Sequence, residues 1–213
     1  MDPRDRMVET IEQEVRDTAS WTGRRHLASR VAKALRTVRR EAFVPEAARA
    51  DAYANRPLPI GHGQVISQPF LVALMTDLLD PRPEHTVLEV GTGSGYQAAV
   101  LAALVRHVYS IEIIAALSAR AAAALAEQKI GNVTLGWPEH APYDGIIVTA
   151  AANSVPPALV AQLRPGGRMV IPLGVPYETQ MLTVIAKETD ASVTSRAVLP
   201  VAFVPLTGEH AGD

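Results

Sequence analysis

The run VLEVGTGSGYQ at Val87–Gln97 constrains this chain more than any other stretch. An apolar strand leads into a glycine-rich turn, and the turn opens an alanine-rich helix. A second apolar run, VYSIE, then ends on Glu112, 21 positions after Gly91. Glycines suit the first turn because backbone approaches a ligand closely only where side chains are absent. An acidic residue at the end of the next strand can accept hydrogen bonds from both hydroxyls of a ribose. Together they predict a parallel sheet with an adenosine-containing ligand at its carboxyl edge.

The turn reads Gly91-Thr92-Gly93-Ser94-Gly95. Tyr96 stands where a dinucleotide fingerprint needs its third small residue. The Gly-Lys-Ser/Thr of a Walker A loop and the G-x-S-x-G elbow are both absent. Glu89, on the strand before the turn, would repel a pyrophosphate and tolerate a sulfonium cation with an amino-acid tail. The pattern therefore predicts S-adenosylmethionine, held by Glu89, Gly91, Thr92, Gly93, Gly95 and Glu112. The glycines alone would also suit a turn with no ligand, and Glu112 alone a solvated strand end; the combination carries the reading.

The 213 residues suffice for one sizeable domain, with 1–80 as N-terminal helices and loop and 81–213 as the nucleotide-binding core. The absence of cysteine excludes disulfides, thiolate catalysis and cysteine zinc sites, and it fits a reducing compartment. A net charge of −2 argues against nucleic acid as the main partner. Residues 1–40 carry ten Arg/Lys against six Asp/Glu, which reads as a solvated helix face, with contact to an acidic partner as the alternative. No apolar stretch is long enough for a membrane span or a signal peptide, so the expected location is cytoplasmic. The six histidines form no set with metal spacing, so no metal is expected. No feature of the sequence specifies an oligomeric state.

Asp2-Pro3 looks like an N-cap followed by proline at the first helical position, opening a helix to about Thr18. A second helix is predicted from about Arg24, with Leu27, Val31, Leu35 and Val38 on one face. These form an N-terminal helical cap, ended by Phe43-Val44-Pro45. Arg56–Gln68 lacks periodicity and reads as an ordered or functional loop. A helix follows from Pro69 through Leu79. Strands are predicted at about Thr86–Val90, His107–Ile111, Val133–Leu135, Gly145–Thr149 and Arg168–Pro172. Helices between them cover Tyr96–Val105, Ala115–Lys129 and Pro156–Leu163. Strands alternating with helices give a doubly wound, Rossmann-like α/β sheet. Gln180–Lys187 and Val198–Val204 have no helix between them and read as a C-terminal antiparallel hairpin.

The segments RPLPIGHGQVISQP, VLEVGTGSGYQAAVLA, APYDGIIVTAAA, LRPGGRMVIPLG and FVPL closely resemble the protein-L-isoaspartate O-methyltransferase family. The resemblance covers about Arg39 to Leu206. Its most specific part is GHGQVISQP, which generic methyltransferases lack. It implies S-adenosylmethionine-dependent methylation of the α-carboxyl of L-isoaspartyl residues in damaged proteins. The ester then cyclises to a succinimide that opens partly to normal aspartate. The partners would be isoaspartyl-containing proteins and peptides.

That chemistry suits the residues. A carboxylate nucleophile of pKa about 4 is ionised at neutral pH, so neither a strong base nor a metal is required. The work left is positioning and desolvation. On the residues alone, Ser67 before Gln-Pro reads as an N-cap. The resemblance assigns it instead as an active-site donor that orients the substrate carboxylate. It also implies pocket contacts from Val65 and Ile66, a substrate-side place for His62, and a closing position at Thr207. An isolated histidine beside glycines otherwise reads as structural.

The chain departs from the family at one place. Members carry a Gly-Asp-Gly segment after the third strand, whose aspartate contacts the adenine amino group. Here Asn132-Val133-Thr134-Leu135 runs directly into Gly136-Trp137-Pro138. Asp144 opens the next strand and cannot substitute. One lost hydrogen bond is worth roughly 0.5–1.5 kcal/mol, or about tenfold in affinity. The alternatives are a methyltransferase of this fold acting on a small molecule or tRNA, and a binding module that has lost its cofactor.

Overall fold

Asp2 accepts a hydrogen bond from the Arg4 amide at 2.9 Å, and Pro3 follows it, so helix α1 (Pro3–Asp17) starts where that cap allows. The computed structural model describes residues 1–136, 139–175 and 178–207. Met7, Val8, Ile11 and Val15 form the buried stripe of α1. One further turn, α2 (Ala19–Thr22), stops at Gly23, whose φ of 72° breaks the helix. Helix α3 (Ser29–Thr37) therefore starts five residues after the expected Arg24. Leu27, Val31, Leu35 and Val38 are nevertheless all buried, as their spacing requires.

The stretch read as a loop contains a hairpin. Strand β1 (Leu58–Gly61) pairs antiparallel with β2 (Gln64–Ile66), leaving His62-Gly63 as a two-residue turn. Both turn residues have positive φ, 56° and 70°, the combination that matches strand twist in the tightest hairpins. Helix α4 (Pro69–Leu79) follows, and its capping position is Gln68, without a side-chain cap bond. Asn55 and Gln68 both donate to the Glu14 carboxylate on α1, which fixes the segment to the helical cap.

The main sheet comprises β3 (Thr86–Val90), β4 (His107–Ile111), β5 (Val133–Leu135), β6 (Tyr143–Val148), β7 (Leu163–Leu173), β8 (Gln180–Lys187) and β9 (Val193–Val201), in the order β5-β4-β3-β6-β7-β8-β9. The first five strands in that order are parallel; β8 and β9 are antiparallel. Connecting helices are α5 (Tyr96–Ala102), α6 (Ala115–Glu127) and α7 (Pro157–Gln162), each shorter at its end than the sequence suggests. Strand β7 starts earlier than expected. Pro165-Gly166-Gly167 is a bulge inside the strand, seen as a register jump from Tyr143↔Leu163 to Gly145↔Arg168. Strand β9 begins five residues before the expected Val198 because its pairing with β8 extends to Lys187↔Val193.

Alternate strand residues feed two cores. Val87, Val108, Ile147, Val170 and Leu182 join the cluster with α1, α3, α4, α5 and α6. Leu88, Ile146, Val148, Met169 and Ile171 join the cluster with Leu159 of α7. The doubly wound layout is thus present, with most helices in the first layer. Among the described residues no helix is long and apolar enough to cross a membrane.

Candidate functional site

Strand order reverses between β3 and β6, whose carboxyl ends lie side by side and whose crossovers run to opposite sides. Ligands of open α/β sheets bind in the crevice formed there. A cleft of about 420 Å³ occupies this edge. Val65, Ile66, Ser67, Glu89, Gly91, Thr92, Gly93, Glu112 and Thr207 all line it. The sheet, the hairpin and the C-terminal segment thus bring together residues up to 142 positions apart. His62 and Gly95 do not line the cleft. His62 sits exposed at the hairpin tip. Gly95 starts α5, where an added Cβ would lie 3.2 Å from the Ala121 Cβ of α6, so its small size serves helix packing.

Gly91 is the tightest position of the turn. Its φ is 98°, and a Cβ there would lie 2.5 Å from Thr149 Oγ1 at the end of β6. That hydroxyl donates to the Gly91 carbonyl at 2.6 Å, tying the two strand ends together. The Gly91 and Thr92 amides donate back to the Ile111 carbonyl. Glu112 takes the Gly93 amide at 2.8 Å and the Ile114 amide at 2.9 Å, one on each oxygen. Each oxygen keeps a second lone pair for a ligand. Glu112 therefore shapes the turn as well as facing the cleft.

Glu89 differs from its sequence reading in charge. It is fully buried, and burial pushes its pKa up to about 8 against a partial counter-effect from the Ser110 hydroxyl. The carboxyl is therefore neutral at pH 7, where the sequence suggests a negative one. Ser110 donates to Oε2 and is itself linked to the Thr92 hydroxyl at 2.6 Å. Oε1 is buried without a hydrogen-bond partner among the described residues. An unpaired buried carboxyl oxygen beside a cleft suits a cationic donor brought in by a ligand, which would take the place of its proton.

Ser67 follows β2, half-buried, and its hydroxyl makes no hydrogen bond to a described residue. Its carbonyl accepts from Arg40 Nη2 at 2.9 Å. It is not the cap of α4. Val204 and Leu206 bond to Ala151 at 2.8 and 2.7 Å, laying the C-terminal segment over the end of β6 and bringing Thr207 to the rim. Among the described residues the carboxylates lining the cleft are Glu89 and Glu112; Gly136, Ile113 and Ile114 also line it. Residues 137–138, part of the abbreviated stretch, lie outside the described residues. Asp144 accepts the Thr86 amide at 2.6 Å and pairs with Arg164, at the opposite edge of the sheet.

Three residues escape the sequence reading. Thr149 could have been found by taking each residue that follows a parallel strand. Ser110 alternates inward on β4 but carries no local signal. Arg40 belongs to the stretch read as a solvated face, yet it is completely buried.

The family described as protein-L-isoaspartate(D-aspartate) O-methyltransferase matches residues 20–211. Protein-L-isoaspartate O-methyltransferase 2 of Syntrophobacter fumaroxidans is 55% identical, over 97% of this chain and 87% of that protein. The enzyme of the same name from a Polaromonas species is 53% identical, over 96% of this chain and all of that one. Among solved structures, a protein-L-isoaspartate O-methyltransferase superposes with a TM-score of 0.82 at 25% identity, covering 97% of this chain and 67% of that chain. A Plasmodium falciparum protein, solved with S-adenosyl-L-homocysteine, gives 0.77 at 22% identity, covering 96% and 98%.

Proposed function

The chain belongs to the protein-L-isoaspartate O-methyltransferase family, and we propose on that premise that it methylates the α-carboxylate of L-isoaspartyl residues in damaged proteins, using S-adenosylmethionine. The observation that carries the reading is the unpartnered Glu89 Oε1 beside a glycine turn that admits no side chain at Gly91. That cradle fits a methionine ammonium next to the turn and a ribose at Glu112. When bound, S-adenosylmethionine supplies a methyl group on a positively charged sulfur, open to displacement by a carboxylate oxygen.

The chain's own residues do the rest. Glu89 gives up its proton and balances the cationic tail. Glu112 offers its remaining lone pairs to the ribose while holding Gly93 in place. Ser67 offers the substrate carboxylate a hydroxyl that bonds to no described residue, and aligns it. Val65, Ile66 and Leu206 exclude water, which raises the reactivity of an otherwise well-solvated anion. Thr207 closes the rim. Ile113 and Ile114 would offer the adenine end apolar contact, with no carboxylate among the described residues there, so about tenfold less affinity is expected. The cysteine-free sequence fits work in a reducing cytoplasm.

The test is transfer of labelled methyl to an isoaspartyl peptide beside its aspartyl counterpart. Transfer to the isoaspartyl peptide alone supports the reading; equal transfer to both overturns it. In the same assay Ser67→Ala should reduce kcat by about tenfold or more, the scale of one lost charge-assisted hydrogen bond. An unchanged rate would remove Ser67 from its role.

A further inference from the structure

A positive charge lies sealed behind Ser67, and no ion pair among the described residues neutralises it. Arg40 is 0% exposed. Its Nε donates to the Ala52 carbonyl at 2.8 Å and its Nη2 to the Ser67 carbonyl at 2.9 Å. Its guanidinium carbon sits 4.9 Å from the centre of the Tyr96 ring, the first residue of α5 after the glycine turn. Nη1 has no hydrogen-bond partner among the described residues, and neither has the Tyr96 hydroxyl. Burial draws the Arg40 pKa down to about 10, which leaves the group cationic at neutral pH.

Such an arrangement is unfavourable for folding. Buried charges are ordinarily paired, and an apolar side chain of similar volume would fill the space without the desolvation penalty. The structure offers one place where an unpaired cation is useful. Arg40 grips the peptide that carries Ser67, and Ser67 lines the cleft where a substrate carboxylate must be held. The Tyr96 ring on its other side belongs to the element that follows the cofactor turn. Arg40 thus joins the substrate hairpin to the glycine turn from behind, within a region of low dielectric where its field is weakly screened.

We infer that Arg40 is a positioning residue that holds the Ser67 backbone and makes the Ser67 end of the cleft selective for an anionic substrate over its neutral methyl ester. The inference rests on the carboxylate-methylation reading above. Methylation removes the substrate's negative charge, so the attraction that gathers the reactant disappears in the product. The buried cation therefore favours ester release and limits inhibition by product, without touching the reacting atoms.

The test compares two peptides on the enzyme loaded with S-adenosyl-L-homocysteine. One carries the isoaspartyl carboxylate, and the other carries the same residue capped as a neutral amide. Calorimetry gives both dissociation constants for the wild type, Arg40→Met and Arg40→Lys. In Arg40→Met the carboxylate peptide should bind about tenfold or more weakly, and the amide peptide should change by less than about threefold. Arg40→Lys should keep the carboxylate preference while lowering kcat, because it restores the charge and not the two-carbonyl grip. Affinity for S-adenosyl-L-homocysteine should stay within about threefold in both. Equal weakening of both peptides in Arg40→Met assigns Arg40 to structure alone and overturns the inference. If Arg40→Met fails to fold, a stable Arg40→Lys that has lost the carboxylate preference overturns it equally. Failure of the wild type to methylate the isoaspartyl peptide would instead overturn the functional reading.

Discussion

Replacing Glu89 by Gln separates the ionisable role of this side chain from its shape. Full burial pushes the carboxyl pKa up to about 8. A ligand ammonium needs it ionised, so binding below pH 8 must release a proton. At pH 6 only about one site in a hundred is ionised, and affinity should fall by about tenfold per pH unit below 8, close to 1.4 kcal/mol each. Between pH 8, where half the sites are ionised, and pH 6 the wild-type Kd for S-adenosyl-L-homocysteine should therefore rise about fiftyfold, or ~2.3 kcal/mol. Titration calorimetry in buffers of different ionisation enthalpy reads both the affinity and the released proton. Glu89→Gln should show no pH dependence over this range and bind no better than the wild type at pH 6. Stability moves the other way. The folded pKa lies above the 4.5 of an exposed glutamate, so the folded state holds the extra proton, and stability falls as pH rises from 4.5 to about 8. Glu89→Gln should remove that decline and melt at higher temperature than the wild type at pH 8. A wild-type Kd that is flat from pH 6 to pH 8, with no proton release, would refute the reasoning.

Gly91→Ala forces a Cβ to 2.5 Å from Thr149 Oγ1 at a φ of 98°. Urea unfolding should show a loss of about 2 kcal/mol or more, together with lost cofactor binding. Gly63→Val puts a β-branched residue at φ 70° in the hairpin turn. It should raise KM for the peptide with little change in cofactor affinity, as steady-state kinetics would reveal. Asp77 accepts the Ala28 amide at 3.0 Å and pairs with Arg24 at 3.1 Å, away from the cleft. Asp77→Ala should lower stability by about 1–3 kcal/mol in denaturant titration and leave the calorimetric cofactor Kd unchanged.

Strands β3, β4, β5 and β8 were legible because each is an apolar run bounded by turn residues. The β1–β2 hairpin was not, because Pro57, Pro59, Gly61 and Gly63 hide a period of two in a short stretch. Pro165-Gly166-Gly167 looks like a turn and is a bulge, since only the pairing of β7 with β6 distinguishes the two. The start of β9 is polar and exposed, so its strand character comes from β8 rather than from its own residues. At the site, residue types at fixed spacing announced the turn and Glu112. The protonation of Glu89 was not legible, because it depends on what surrounds the carboxyl in three dimensions. Arg40 was hidden for the same reason: nothing local distinguishes it from Arg39, which is exposed and paired with Glu41.

The stretch from Val204 to Thr207 lies beyond the last strand and still forms one side of the cleft. Every strand can therefore pair before the site has all its walls. A chain interrupted between Val201 and Val204 would own a finished sheet and an unfinished cleft. Such a fragment would resemble the intact protein in far-ultraviolet circular dichroism and differ from it in ligand binding. Catalytic competence in this architecture is thus completed only after the sheet, and a proteolytic cut between Val201 and Val204 is enough to withdraw it.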